Sequence, residues 1–255
     1  MACCPPGSLP YLEATYEGKG EIAKEGDTEM YVAPVTGTPT SAIVMCPDIW
    51  GWNGGRVRAV ADSFASMGYL VVVGKFLTPV REGGTDGDAM SPTSEFDMDW
   101  IKQFPWSVQK PKLDAVLGFV RSKGATKIAV FGFCYGGHPC CWASQENADV
   151  VCGVIFHPSI QLEQYAYGGD FMGLVKSVKA PFLICPAGND VPMYAEESDF
   201  AMNLKESAKG SECVITVYPD MTHGFTCRGD VKEEKVARDV DAVFKQAAEF
   251  IGKYL

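Results

Sequence analysis

The chain of 255 residues is short of positive charge: 22 Lys and Arg face 32 Asp and Glu, for a formal net charge of −10. Such a surface has no electrostatic footprint for phosphate backbones or anionic lipid, so neither nucleic acid nor a membrane is expected as a partner. Long apolar runs are missing as well. None approaches the ~20 residues of a membrane helix, and the opening Met1-Ala2-Cys3-Cys4-Pro5-Pro6-Gly7 has neither the basic region nor the apolar stretch of a secretory signal. A cytoplasmic protein is expected. Histidine is scarce, with three in the chain, and no Cys-x-x-Cys pair occurs among ten dispersed cysteines. No histidine stands near the Cys3-Cys4 or Cys140-Cys141 doublets, and Cys46, Cys152, Cys185 and Cys213 lie inside apolar runs. Free thiols in a reducing compartment are expected, with no zinc site or other metal.

What the sequence does have is enough apolar content, 47% against 21% charged, to bury a substantial core in one domain spanning residues 1–255. Six short apolar runs read as buried strands: 42–46, 70–73, 127–131, 150–156, 182–185 and 213–218. Between them, Val57, Val60, Ala61 and Phe64 follow the helical i, i+3, i+4, i+7 spacing, as do Leu113, Val116, Leu117 and Val120, and the series from Val236 to Ile251. Alternating strands and helices specify an α/β fold, a mainly parallel central sheet with helices on both faces. Residues 13–22 and 28–34, partly alternating and broken by glycine, predict a short antiparallel N-terminal edge. The stretch 78–95, rich in Gly and Pro without periodicity, predicts a long loop.

The third strong strand ends in Gly132-Phe133-Cys134-Tyr135-Gly136-Gly137, followed by a helical pattern. Gly-x-nucleophile-x-Gly at a strand-to-helix junction is a nucleophile elbow, here with Cys in place of Ser. The sharp turn strains the central residue and tolerates only small neighbours two positions away. It aims a helix N-terminus at the sulfur, which favours thiolate and oxyanion, with the Tyr135 N–H as first oxyanion donor. A buried cysteine in a tight turn is the bland alternative. A dinucleotide-binding Gly-x-Gly-x-x-Gly fails because Cys134 occupies its middle glycine.

A cysteine nucleophile needs a base. His138 lies within the helix that follows the elbow and reads as a packed histidine, while His157 ends the neighbouring strand at a rim position. His223 follows the 213–218 strand in a loop at its carboxyl end. An orienting acid belongs after the strand between nucleophile and histidine, where Asp190 stands; a helix N-cap is its alternative role. The order Cys134, Asp190, His223 is the nucleophile, acid, histidine order of the α/β-hydrolase fold.

These segments, with Cys46-Pro47-Asp48-Ile49-Trp50-Gly51 after the first strong strand, Gly188-Asn189-Asp190, and His223-Gly224-Phe225 with Arg228, resemble the dienelactone hydrolase family over nearly the whole chain. The Cys3-Cys4 doublet and the run to Asp230 resemble its eukaryotic branch. The resemblance implies an α/β-hydrolase fold and a cofactor-free hydrolase that opens lactones or small esters through a thioacyl intermediate. Cys134, Asp190 and His223 would form the triad, and the N–H groups of Ile49 and Tyr135 the oxyanion hole. Bacterial members keep Glu where this chain has Asp48, a resting partner of the thiol, and an arginine for the substrate carboxylate where this chain reads Gly74-Lys75-Phe76-Leu77. The implied substrate is a small ester or lactone, including anionic ones. Arg228 is the first candidate to hold its carboxylate, ahead of Lys75 and Arg81, and pairing with Asp230 or another acid is the alternative. Trp50 and Trp52 are expected to wall the pocket, and the chain to act as a monomer or weak homodimer. Rival readings are a catalytically silent binding protein on this fold, or an acyltransferase or other hydrolase using the same triad.

Overall fold

A computed structural model describes residues 3–80, 98–190 and 192–255. Eight strands form one sheet: β1 (Glu21–Glu25), β2 (Thr28–Val32), β3 (Ser41–Cys46), β4 (Leu70–Gly74), β5 (Lys127–Phe133), β6 (Val150–Phe156), β7 (Phe182–Cys185) and β8 (Val214–Ile215). Their spatial order is β1-β2-β4-β3-β5-β6-β7-β8. β3 through β8 run parallel, and β1 and β2 add an antiparallel edge against β4.

The apolar runs lack polar alternation because both faces of the sheet are covered. Ala42, Val44, Leu70, Val72, Ile128 and Val130 point to one side, under the helices Trp106–Ser122, Gly137–Glu146 and Phe171–Ser177. Ile43, Met45, Val71, Val73, Ala129 and Phe131 point to the other, under Val57–Ala65 and Glu234–Ile251. The helices present the stripes their spacing predicts: Leu113, Val116, Leu117 and Val120 on one, Val57, Val60, Ala61 and Phe64 on another.

Two boundaries shift from expectation. The edge hairpin begins at Glu21 because Gly18, at φ +79°, turns the chain so that the Tyr16 hydroxyl (2.7 Å) and the Lys19 N–H (2.8 Å) donate to Asp62 instead of a ladder. β8 narrows to two residues since it is an edge strand, although Thr216 and Tyr218 still donate to Ile184 and Pro186. Most of the loop expected over 78–95 lies outside the described residues.

β3 is flanked by β4 on one side and β5 on the other, so successive crossovers leave it in opposite directions. The crevice beyond the carboxyl ends of β3 and β5 is the topological switch point, where open α/β sheets bind ligands. The segments 47–51 and 134–136 sit there.

Candidate active site

Cys134 stands at the end of β5 with φ +53°, a left-handed conformation that a side chain bearing Cβ rarely adopts. The elbow glycines are required by close approach. A Cβ on Gly132 would lie 2.6 Å from the Gly137 nitrogen, and one on Gly136 would run into the Cys46 carbonyl. The turn thus delivers Cys134 to the start of the helix Gly137–Glu146, beneath β3's loop. Among the described residues, neither the Ile49 N–H nor the Tyr135 N–H donates to a protein acceptor, as an oxyanion hole requires.

The acid and the histidine are joined. Asp190 Oδ1 lies 2.6 Å from His223 Nδ1, and its Oδ2 accepts from the Ala187 N–H at 2.8 Å. Both carboxylate oxygens are therefore committed to this corner. The helix that follows, Asp199–Lys205, is capped by Ser198, so Asp190 is not its cap. Asn189 holds the other side of the histidine, accepting from the His223 N–H at 2.7 Å. His157, at φ +38°, packs its ring 5.0 Å from that of His223 and contacts Thr226 Oγ1 at 2.7 Å through Nε2. Burial, then the neighbouring His223 charge, lower the pKa of His157, which leaves a neutral ring beside the base. His138 faces away, 2.6 Å from Glu163, as a packed histidine should.

The sulfur of Cys134 has partners that sequence reasoning missed. It lies 3.7 Å from Cys3 Sγ, 3.6 Å from Cys4 Sγ and 3.3 Å from Ser159 Oγ. The N-terminal segment crosses the site and is pinned there: Ser159 Oγ donates to the Cys3 carbonyl at 2.5 Å, Asn189 to Pro6 at 3.3 Å, and Leu9 N–H to the His223 carbonyl at 3.0 Å. Cys4 therefore lies against both Cys134 and His223. His223 Nε2 is buried and makes no hydrogen bond of good geometry, while the Cys4 sulfur is near enough to act on it by charge.

The surroundings act in opposite directions on the two thiols. Hydrogen bonds from Cys134 and Cys3 hold Cys4 well below the usual thiol range against the cost of burial, with the His223 charge adding to the effect. Burial and then the neighbouring Cys3 and Cys4 push Cys134 up. Burial opposes a charged His223, but Cys4 and Asp190 outweigh it and lift the imidazole to about 10. The elbow's helix terminus was expected to favour a Cys134 thiolate; the thiol whose pKa its surroundings lower is Cys4, while Cys134 is pushed up.

The other expected binding residues fall differently. Asp48 accepts from the Trp50 N–H at 2.8 Å and forms an ion pair with Arg228, both side chains being almost wholly buried. It does not serve as the partner of the Cys134 thiol; Cys3, Cys4 and Ser159 hold that place. Arg228 also donates to the Leu9 carbonyl at 3.2 Å. Its partner acid is thus Asp48, not Asp230. Lys75 is drawn away to Glu29 at 3.0 Å and lies over the Trp52 ring. Arg81 lies outside the described residues. Trp50 packs in the apolar cluster around Cys134 with Ile49, Tyr135 and Phe104. Neither Trp50 nor Trp52 lines the cavity of about 870 Å³ that opens beside Cys4 and Asp190 among Met172, Met193, Tyr194 and Phe200. No helix among the described residues is long and apolar enough to cross a membrane.

Comparison with known proteins places this geometry. The model of the dienelactone hydrolase family matches residues 28–255. The hydrolase pyvD of Aspergillus violaceofuscus is 26% identical over 99% of this chain and 96% of its own length. The human carboxymethylenebutenolidase homolog is 26% identical over 92% of this chain and 93% of its own. A Klebsiella pneumoniae structure described as a dienelactone hydrolase superposes with a TM-score of 0.67 at 16% identity, covering 97% of this chain and 100% of that one, a likeness of fold.

Proposed function

We propose a thioester mechanism for this chain, which belongs to the dienelactone hydrolase family and is a hydrolase of the ester and lactone type. In this reading Cys134 is the nucleophile, His223 the base, and Asp190 the group that holds the histidine in its working tautomer. The observation that carries it is Cys134 at φ +53° on the elbow, 3.6 Å from Cys4, a sulfur close enough to the Asp190-bound His223 to act on its charge.

Turnover in this reading begins with displacement of the N-terminal segment. As Cys4 withdraws it takes the extra proton back from His223, and the neutral Nε2 then accepts the Cys134 proton. The thiolate attacks the substrate carbonyl and forms a C–S bond, while the N–H groups of Ile49 and Tyr135 hold the developing oxyanion. Collapse expels the alkoxide, which takes the proton from His223 and leaves a thioester on Cys134. His223 then removes a proton from water; hydroxide attack releases the acid and returns the proton to the sulfur.

The neighbouring cavity supports a small, mostly apolar substrate, since Met172, Met193, Tyr194 and Phe200 supply its walls. A carboxylate on that substrate would have to compete with Asp48 for the guanidinium of Arg228, so neutral esters and lactones suit the site better than the anionic ones first expected.

The test is a panel of chromogenic esters and lactones on the reduced protein, with intact-mass measurement after rapid acid quench. The expected result is turnover abolished in Cys134→Ala and, in wild type, an acyl adduct that maps to Cys134. An adduct on Cys4, or turnover retained in Cys134→Ala, would transfer the nucleophile to the N-terminal doublet. No turnover of any ester or lactone would favour a silent binding protein.

A further inference from the structure

We propose that Cys3, Cys4 and Cys134, with His223 as fourth donor, form a binding site for a thiophilic d10 cation, Zn²⁺ above all. An ion there would close the active site. The sequence argued against zinc because no histidine stands near the doublet; the fold supplies one from the opposite end of the chain.

The three sulfurs have the spacing of three corners of a tetrahedral coordination shell. The ligand atoms of the three cysteines lie within 4.8 Å of one another, and two of the sulfur–sulfur edges measure 3.7 and 3.6 Å. Sulfurs about 2.3 Å from a tetrahedral zinc ion are separated by roughly 3.8 Å, so the cluster needs little movement to accept one. His223 lies outside this three-sulfur group, and it completes the shell only by moving toward the ion as the ion binds. His223 Nε2 is fully buried without a hydrogen bond, and Cys4 lies against the ring. The other nitrogen, Nδ1, faces Asp190 at 2.6 Å, the carboxylate–histidine support that zinc-ligating histidines have.

The segment bearing the doublet is anchored independently of any ion by the bonds from Ser159 to Cys3, Asn189 to Pro6 and Leu9 to His223. Three sulfurs and one imidazole offer no oxygen, which disfavours Mg²⁺ and Ca²⁺. Charge also suits a divalent ion. Three thiolates, a neutral imidazole and Zn²⁺ sum to −1, and Arg228 lies within electrostatic reach of Cys3 and Cys4. The family model matches residues 28–255, so two of the four donors come from a segment outside that match.

Binding rests only on the ligand geometry, whereas its inhibitory consequence rests on the reading of Cys134 as nucleophile. The experiment therefore has two readouts. The reduced, metal-free chain is titrated anaerobically with Co²⁺, then with Zn²⁺ in competition. Expected are one equivalent bound, sulfur-to-cobalt charge transfer in the near ultraviolet, tetrahedral d–d bands in the visible, and loss of all of them on adding Zn²⁺. A Cys3→Ser/Cys4→Ser variant should bind at least roughly a hundredfold more weakly, beyond the tenfold or so expected of the supporting Asp190→Asn. A Cys213→Ser control should keep the bands, and circular dichroism confirms that each variant is folded. In the second readout, Zn²⁺ should suppress ester turnover and a chelator restore it. Absence of the bands, or bands unchanged in the doublet variant, overturns the site. A blank spectrum together with a Cys4–Cys134 disulfide after air exposure would make the cluster a redox pair instead. Bands without any esterase activity would uphold the site and reject the catalytic reading.

Discussion

Replacing Asp190 by Asn tests the catalytic reading with almost no change in volume. In the native site one carboxylate oxygen faces His223 Nδ1 at 2.6 Å and the other accepts from the Ala187 N–H at 2.8 Å. An amide has only one acceptor oxygen to offer two donors. If that oxygen serves Ala187, the amide nitrogen faces Nδ1 and forces the histidine proton onto Nε2, where the base needs a lone pair. If it serves His223, two N–H groups confront each other at Ala187, a buried mismatch costing about 1–3 kcal/mol. Either arrangement also removes the negative charge that stabilises the imidazolium. The combined loss expected in kcat is a thousand- to ten-thousandfold, the scale for a histidine held in the wrong tautomer. That corresponds to about 4–5.5 kcal/mol of transition-state stabilisation. The mismatch alone should lower the melting temperature by roughly 2–12 °C, since about 2–4 °C accompany each kcal/mol in a chain of this size. Ester kinetics and a thermal melt on one preparation separate the effects. Turnover within tenfold of wild type would refute the role of the Asp190–His223 pair, and collapse of the fold would show that the residue is chiefly structural.

Because the low thiol pKa falls on Cys4, iodoacetamide at neutral pH and in the absence of metal should alkylate Cys4 before Cys134; peptide mass mapping that found Cys134 modified first would reverse this assignment. The Asp48–Arg228 pair is buried, so Arg228→Met or Asp48→Leu alone should cost about 3–5 kcal/mol by stranding a charge, whereas the double variant should recover part of the loss. Denaturant titrations in which the two effects simply add would show no coupling. Burial opposes a charged Glu163, but its bond to His138 outweighs that and holds the carboxyl below the ordinary value. A depressed carboxylate stabilises the fold above its unfolded pKa and loses that contribution as pH falls through the folded one. Glu163→Gln should therefore flatten the fall in stability below about pH 4, and an unchanged acid limb would refute it.

How much of this was legible depended on the distance over which each feature is encoded. Strands β3 to β7 and the helical stripes at Val57–Phe64 and Leu113–Val120 are set by residues a few positions apart, and periodicity read them nearly to their boundaries. The elbow is local too: Gly132 and Gly136 are each required by backbone lying within a few ångströms, so the spacing alone announced the turn. Asp190 and His223 could be placed because parallel strands bring their carboxyl ends together and leave few loops to choose among. The contacts that govern the resting site have no such signature. Cys4 meets Cys134 across 130 positions, Arg228 meets Asp48 from the far end of the chain, and Ser159 holds Cys3 from beyond β6. No periodicity records those pairings, and the Cys3-Cys4 doublet was legible only as a mark of the family's eukaryotic branch. The consequence is chemical. The elbow specifies where the Cys134 sulfur stands, but the pKa of that sulfur depends on whatever else is packed against it, and here that is a segment from the other end of the chain. In the proposed mechanism His223 therefore serves as base only after the N-terminal segment has carried Cys4 away from it.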